Sequence, residues 1–141
     1  MASSHSDVAV KATITKLLSV SAVTTFFGRR IAPPGMVDKQ MPYITVLEAG
    51  NKPRHGLGHN QPSSHDQRVT VWAHGRTYAE ALDGKAIVEA ALEGATVAVT
   101  GWGTPRFEGI GIPVRDYEES DIRFYVGGAK YRLVLAGQTV S

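Results

Sequence analysis

The stretch HDQRVTVWAHGRTYAEALDGKAIVEAALEG, which runs from His65 to Gly94, decides the fold of this chain. Its first part alternates apolar and polar residues, and a period of two is typical of a half-buried strand. One face of the predicted strand carries Val69, Val71 and Ala73, and the other carries Arg68, Thr70, Trp72 and His74. Gly75 and Arg76 form a short predicted turn, after which the period changes.

A helix is predicted to follow this turn. Thr77 and Glu80 have the spacing of a capping box, in which the hydroxyl and the carboxylate each accept a hydrogen bond from a free backbone N–H. The helix is predicted to run to about Leu92, with Gly94 as the residue just beyond its end. Its expected buried stripe comprises Tyr78, Ala81, Leu82, Val88 and Leu92, interrupted by an ion pair of Lys85 with Glu89. Gly84 and the many alanines predict a close approach to a sheet, so the stretch builds a scaffold and contains no chemistry.

The bulk composition is that of one ordinary folded domain. Its 141 residues favour a single domain covering 1–141, with 43% hydrophobic and 20% charged residues. The absence of cysteine excludes a disulfide framework, a thiolate metal site and cysteine catalysis. A net charge of +2 is too small to indicate nucleic-acid binding by itself. The opening MASSHSD lacks the pattern of a signal peptide and no apolar run is long enough for a membrane span, so we expect assembly in a cytoplasm.

Two helices are predicted before the first strand. Ser6 is the expected cap of the first helix, whose buried stripe is predicted to comprise Val10, Ile14, Leu17, Leu18 and Ser21. The second helix is predicted from Ala22 to Phe27 and ends at Gly28. Arg29 and Arg30 are expected to complement the carbonyl groups at the end of that helix.

The first predicted strand spans Tyr43 to Glu48 and follows a loop from Ile31 to Met41. Residues 50–64, GNKPRHGLGHNQPSS, are predicted to be an extended loop between two strands that pair as a long hairpin. Loops of this length in a compact domain are usually functional or disordered, so we expect a contact outside the domain to order it. The loop carries Lys52 and Arg54 but no aromatic residue, which disfavours nucleic acid as its partner.

The C-terminal part is predicted to be rich in strands. An alternating segment from Ala95 to Trp102 is followed by a glycine-rich passage from Gly101 to Pro113. A hairpin is then predicted, with strands at Asp121–Val126 and Ala129–Leu135 joined by a two-residue turn at Gly127-Gly128. The complete order of elements predicts an α+β fold, in which helices pack on one face of a mostly antiparallel sheet.

No group of residues forms a persuasive catalytic or metal-binding motif. His55 and His59 have the spacing of a zinc-ligand pair on a helix, but the glycines between them oppose helix formation, so solvated loop histidines are favoured. The acidic cluster of Glu118, Glu119 and Asp121 is favoured as a solvated turn. No serine lies in a nucleophile elbow and no glycine cluster matches a phosphate loop. The sequence therefore predicts no catalytic residue, no cofactor and no metal.

Three phrases of the sequence resemble segments of the tail terminators, the tail-completion proteins in the necks of long-tailed phages and gene transfer agents. They are VSAVTTFFGRRI at Val20–Ile31, MPYITV at Met41–Val46 and QRVTVWAHGRTYAEA at Gln67–Ala81. The resemblance implies a virion structural protein with a single tail-terminator-like α+β domain and no catalysis. It also implies a hexameric ring at the head-proximal end of the tail tube, which stops tube polymerisation and joins the tail to the head connector.

The same resemblance implies the partners and the location. The partners are other copies of the chain, the tail tube protein and the head–tail connector protein, with DNA only as cargo passing through the ring and no membrane. The location is the tail or neck of the virion, after assembly in the host cytoplasm. The residues expected to contact a neighbouring subunit or the tail tube are Lys52, Arg54, His55, Leu57, His59 and Trp72.

Two kinds of alternative function remain open on the sequence. A head-completion or connector protein of the neck would differ in the partner that it binds. A small metal-dependent enzyme or a ligand-binding module would use the histidine-rich loop instead. The enzyme predicts bound zinc and a loss of activity when His55 or His59 is mutated.

Overall fold

The computed structural model describes residues 5–35, 40–55, 62–99 and 101–136 of the chain. Its elements in chain order are α1 (His5–Leu18), α2 (Ser21–Phe27), β1 (Ile31–Ala32), β2 (Tyr43–His55), β3 (Pro62–Gly75), α3 (Tyr78–Leu92), β4 (Glu108–Glu119) and β5 (Ile122–Ala136). The strands form one sheet in the order β1-β2-β3-β5-β4. Strand β1 pairs with β2 in parallel, and the other pairs are antiparallel. The predicted α+β class is confirmed.

Strand β3 lies at the centre of the sheet and its alternation is confirmed. Val69, Val71 and Ala73 are buried together with side chains of α1, α2 and α3 in one apolar core. Helices α1 and α3 both contact β3, so the described helices cover one face of the sheet. Burial of apolar side chains of this size contributes about 1.5–3 kcal/mol each, which explains why this face fixes the strand's orientation.

Helix α3 begins and ends where the sequence predicts. Thr77 Oγ1 accepts a hydrogen bond from the Glu80 N–H at 3.1 Å. The Glu80 carboxylate accepts from the N–H of Arg76, one residue before the position that a capping box would use. Gly94 has φ of 72°, as expected just beyond a helix end. The chemistry of the caps therefore determines both ends of this helix.

The buried stripe of α3 differs from the predicted one. The buried residues are Ala81, Gly84, Val88 and Leu92, whereas Tyr78 and Leu82 are exposed. The ion pair is confirmed, with Lys85 Nζ 2.9 Å from Glu89 Oε1. A Cβ atom on Gly84 would lie 2.8 Å from the Phe27 ring. The close approach predicted at this glycine is therefore made to helix α2 and not to the sheet.

The N-terminal region contains three departures from the prediction. Helix α1 begins at His5, so Ser6 lies within the helix and does not cap it. Ile31 and Ala32 are a short strand rather than a loop, because they pair in parallel with Ile44 and Thr45. The guanidinium Nε of Arg30 donates to the carbonyl of Pro42 at 3.0 Å, rather than to the end of α2. Helix α2 itself ends at Gly28 as predicted, with φ of 64°.

The long hairpin of β2 and β3 is confirmed, but the predicted loop at 50–64 is too long. Residues 50–55 continue β2 and residues 62–64 belong to β3, with register shifts at Glu48/Gly50 and Arg54/His55. The turn-forming composition of this segment hides the strands, because each strand is held by backbone hydrogen bonds to the other. Residues 56–61 lie outside the described residues.

The predicted hairpin turn at Gly127-Gly128 is wrong. Strand β5 runs without interruption from Ile122 to Ala136, through both glycines. The turn lies instead at Ser120 and Asp121, whose φ values of 54° and 65° are the positive pair of a two-residue hairpin. The partner strand β4 occupies Glu108–Glu119, which includes part of the predicted glycine-rich passage. The acidic cluster is exposed around this turn, as predicted.

The segment after α3 forms isolated bridges in place of the alternating strand that the sequence suggests. The bridges join Thr96 to Arg106 and Val99 to Gly103.

In the described part of the chain no single helix is long and apolar enough to cross a membrane. The segments Val8–Leu18 and Ser21–Phe27 reach the required length and apolar character only when they are taken together, and the chain bends by 88° between them.

Candidate interaction surface

The candidate functional site is the sheet face opposite the core. Trp72 lies on this face, where β3 pairs with Thr45 of β2 and Gly128 of β5. The described helices pack on the other face, so side chains at the alternate positions of β3, β4 and β5 point away from them. We call this surface the open face, and two depressions on it are lined by described residues.

The larger depression, the central groove, has a volume of about 720 Å³. It is lined by Arg68, Trp72, Glu108, Gly109, Ile110, Ile112, Lys130, Tyr131 and Arg132. The Ile110 side chain is 79% exposed, which is unusual for an aliphatic residue in a strand. An exposed apolar floor with a charged rim is typical of a protein interaction site.

The basic rim of the groove is organised by one buried carboxylate. Asp66 is only 3% exposed, and its Oδ2 accepts a hydrogen bond from Arg132 Nε at 3.0 Å. A terminal nitrogen of Arg68 lies 3.8 Å from the same oxygen. A charged hydrogen bond to a buried carboxylate restricts the Arg132 side chain far more than an exposed pair would. Asp66 therefore positions the two arginines along the groove.

The Trp72 ring packs closely over Gly128 of β5, where that strand has no side chain. A Cβ atom on Gly128 would lie 3.0 Å from Cε3 of the indole and would collide with the carbonyl oxygen of Val71. The guanidinium carbon of Arg115 lies 5.5 Å from the centre of the indole ring, within the range of a cation–π interaction. These contacts fix an aromatic ring at the junction of the two depressions.

The smaller depression, of about 290 Å³, is bordered by a network from three strands. His74 Nε2 lies 3.0 Å from Thr45 Oγ1, and its Nδ1 lies 3.0 Å from the Tyr117 hydroxyl. The Tyr43 ring stacks on His74 with the ring centres 4.3 Å apart. With both imidazole nitrogens engaged by hydroxyl groups, the network braces the sheet and presents no free base to a substrate.

Tyr117 adds a pKa shift to this network. Burial is the main cause that raises the pKa of its phenol above the ordinary value, and a hydrogen bond with Tyr43 raises it further. The Tyr117 hydroxyl therefore stays protonated and acts as a neutral hydrogen-bonding group.

The structure separates the residues predicted for the site. Trp72 lies between the two depressions, whereas Lys52, Arg54 and His55 lie in β2 opposite Asp66, Ser64 and Pro62. Trp72 lies six residue positions from Asp66, or about 20 Å along the strand, so Trp72 and the three β2 residues do not form one site. Leu57 and His59 fall outside the described residues. Among the described residues there is no group of three or more His, Cys, Asp or Glu placed to hold a metal ion.

Sequence reasoning missed the other groove residues. The alternation of β5 places Lys130 and Arg132 on the face opposite Tyr131 and Leu133, which is a usable signal once β5 is recognised as one strand. The residues of the His74 network are brought together only by strand register, and no local pattern marks them.

Comparisons with known proteins place this fold. The family model described as tail completion protein gp17 matches residues 11–127. A chain from the virion of a native gene transfer agent particle is similar with a TM-score of 0.63 and 16% identity, over 88% of this chain and 92% of that chain. The bacteriophage SPP1 gp17 protein is similar with a TM-score of 0.49 and 20% identity, over 96% of this chain and 94% of that chain. No curated protein matches the chain.

Proposed function

We propose, since the chain belongs to the gp17 family of tail completion proteins, that it is the tail terminator of a phage-like particle. Membership of this family makes it a structural protein of the virion tail or neck, and not an enzyme. In that role it associates with other virion proteins. The proposal adds that copies of the chain form a closed ring with a defined number of subunits, which we expect to be six.

The ring closes around the head-proximal end of the tail tube, stops tube polymerisation and joins the tail to the head–tail connector. DNA passes through it only as cargo. A closed ring is built from heterologous contacts, so each subunit needs two different surfaces that fit one another. This requirement agrees with a chain whose described helices pack on the opposite side of the sheet and leave the open face without a helix over it.

The observation that carries the proposal is the open face with its central groove. An antiparallel sheet can leave one face in water, but that face then carries polar residues. Here it carries Ile110, Ile112 and Trp72 within a basic rim. A protein of the tail-completion family with such a face has a surface suited to a neighbouring subunit, and Trp72 is the proposed anchor of that contact.

The far end of the β2–β3 hairpin is the proposed contact with the tail tube. Lys52, Arg54 and His55 belong to this end of β2, and Leu57 and His59 follow in the sequence. From Trp72 to Pro62 the hairpin extends ten residue positions along β3, or about 33 Å. An arm of this length supports a role that is separate from the contact at the groove.

The test combines the mass of the untagged protein under native conditions, electron microscopy, and a tube-polymerisation assay. We expect rings of one defined subunit number, free in solution or on tube ends, and tubes that stop growing when the protein is added. Tubes that elongate at the same rate with and without saturating protein would contradict the terminator function. Capture of the protein by the connector alone would assign it to head completion instead.

A further inference from the structure

The turn between β4 and β5 forms a second exposed patch, which we call the acidic tip. It spans residues 116–123, DYEESDIR, and contains four carboxylates and one arginine. Arg123 lies 3.5 Å from Asp116 and 3.4 Å from Glu118. Since one arginine can offset only one of the four carboxylate charges, the tip keeps a net negative charge.

The acidic tip also presents an aliphatic side chain. Ile122 is 56% exposed and directly follows Asp121 at the turn. An exposed isoleucine next to carboxylates gives the tip the composition of a small interaction site, in which an apolar centre is bordered by charge. It is a second partly apolar surface with no cover in the described part of the chain.

The central groove has the complementary composition. Lys130 is opposite Ile110 in the pairing of β4 with β5. No ion pair of Lys130 with another described residue is present, and Arg68 lies at the same groove. The groove thus combines an exposed isoleucine with a cation, and the tip combines an exposed isoleucine with a carboxylate.

The two patches cannot meet within one chain. Ile122 and Lys130 belong to the same continuous strand, eight residue positions apart, which corresponds to about 27 Å. A contact between the tip and the groove therefore joins two different copies. Because the two surfaces differ, the contact is heterologous and can repeat around a ring.

We propose that the acidic tip of one copy docks in the central groove of the next, with Ile122 against Ile110 and Ile112 and with Asp121 near Lys130. This inference rests on the proposed ring and names the two surfaces that build it. Opposite charges at the contact favour correct encounter, and contact between two tips or two grooves is disfavoured by like charges.

Disulfide trapping tests this contact directly, because the chain has no cysteine of its own. The variant carries Asp121→Cys and Lys130→Cys and is oxidised mildly, both free in solution and on tail tubes. We expect a ladder of linked species from the dimer up to the ring number. The matched control carries Asp83→Cys and Lys130→Cys, since Asp83 is exposed on α3 on the other side of the sheet, and it should stay largely monomeric.

Charge reversal provides the second measurement. Lys130→Glu and Asp121→Lys should each weaken assembly by roughly tenfold or more, because each places like charges together. An equal mixture of the two variants should assemble again, since the reversed groove of one fits the reversed tip of the other. Thermal unfolding of each variant shows whether it is folded.

The outcomes separate this inference from the proposed function. Rings that form on tubes without any linkage above the control would overturn the tip–groove contact and leave the terminator function standing. A linked ladder from a protein that never stops tube growth would support the contact and refute the terminator function. Products that end at the dimer would overturn the repeating arrangement. Unchanged assembly of Lys130→Glu with weaker binding to duplex DNA would assign the groove to nucleic acid and overturn the inference.

Discussion

At the scale of single residues, Gly128 leaves less room for an added Cβ atom than the other glycines whose surroundings the structure describes. A Cβ atom there would collide with the carbonyl oxygen of Val71 and press on the Trp72 ring. Backbone atoms of a central strand cannot move aside, so we predict that Gly128→Ala lowers the free energy of unfolding by about 3 kcal/mol or prevents folding. Denaturant unfolding followed by circular dichroism measures the change.

Gly111 supplies the matched control for Gly128. A Cβ atom there would lie 2.7 Å from Glu89 Oε1 and 3.1 Å from Lys85 Nζ, both at the ends of flexible side chains. These ends can move, so Gly111→Ala should cost less than about 1 kcal/mol. A loss of stability in Gly128→Ala as small as the one expected for Gly111→Ala would show that β5 tolerates a side chain at Gly128.

Tyr131 determines how stability depends on alkaline pH. Its ring is buried, and its hydroxyl has no hydrogen-bond partner within the part of the chain that the structure describes. Burial is the main cause that raises the pKa of this phenol above its ordinary value of 10.0, and the charges of Glu89 and Glu93 raise it further. A phenol that ionises more easily in the unfolded chain stabilises the fold below the unfolded pKa, and that stability is lost as the pH rises.

We therefore predict that the free energy of unfolding falls above about pH 10 and that Tyr131→Phe reduces this fall. At pH 7 the same variant should be as stable as the parent or more stable by about 1 kcal/mol, because an unpaired buried hydroxyl is removed. Denaturant titrations at several pH values measure both effects. Tyr78→Phe, at an exposed position, is the control. An alkaline loss of stability that is the same in Tyr131→Phe and the parent would refute the assignment.

At the scale of elements, the packing of α3 on α2 reverses an ordinary helix rule. Replacing glycine by alanine inside a helix usually stabilises it by about 1 kcal/mol. At Gly84 the added Cβ would lie 2.8 Å from the Phe27 ring and 3.3 Å from the Phe26 ring. Overpacking of a core contact costs about 1–3 kcal/mol, so we predict that Gly84→Ala is destabilising. Thermal unfolding provides the measurement.

The control for Gly84 uses the same helix. Ala90 is exposed in α3, so Ala90→Gly changes helix propensity without changing the packing and should cost about 1 kcal/mol. A gain of stability in Gly84→Ala would mean that α2 can move away from α3 without a loss of packing energy, and it would contradict the prediction.

Strand β4 shows why an edge strand is hard to recognise in a sequence. Most of its residues are exposed, and it contains Pro113 at a register shift between Ile112 and Arg115. Glycine and proline at these positions are typical of a loop, and they are also typical of sheet edges, where a missing N–H does no harm. The strand exists because β5 pairs with it on both sides of this register shift, which is a property of the partner strand.

At the scale of the whole molecule, Trp72 links the fold to assembly. It lies in the open face with Arg115 over its ring. If it anchors a subunit contact, Trp72→Ala should weaken assembly by at least roughly tenfold, as loss of an aromatic anchor typically does. Sedimentation over a range of protein concentrations measures this change, and thermal unfolding shows whether the subunit remains folded.

Trp72→Phe is the matched variant, since it keeps an aromatic ring on Gly128 and should retain most of the assembly. If Trp72→Ala forms the same oligomer as the parent at the same concentrations, Trp72 does not anchor the subunit contact. It would leave the tip–groove contact to be decided by its own test.

The sequence by itself determined which residues form the core of the fold and which family the protein belongs to. Three local signals act over only a few residues, so they can be recognised without knowledge of the rest of the chain. They are the alternation at Val69, Val71 and Ala73, the helix cap at Thr77 and the helix end at Gly94. The α+β class follows from the order of such local signals. The phrases shared with tail-completion proteins carried the functional assignment.

Only the tertiary structure decided the meaning of Gly127 and Gly128 and the composition of the open face. A glycine pair fits a hairpin turn and a closely packed strand equally well from the local sequence. The choice depends on Val71 and Trp72, which lie across the sheet on β3. The groove likewise exists because strand register brings Arg68, Ile110 and Lys130 together from three separate strands. Long-range pairing of this kind has no signature in a window of neighbouring residues, and so it had to be seen in the folded molecule.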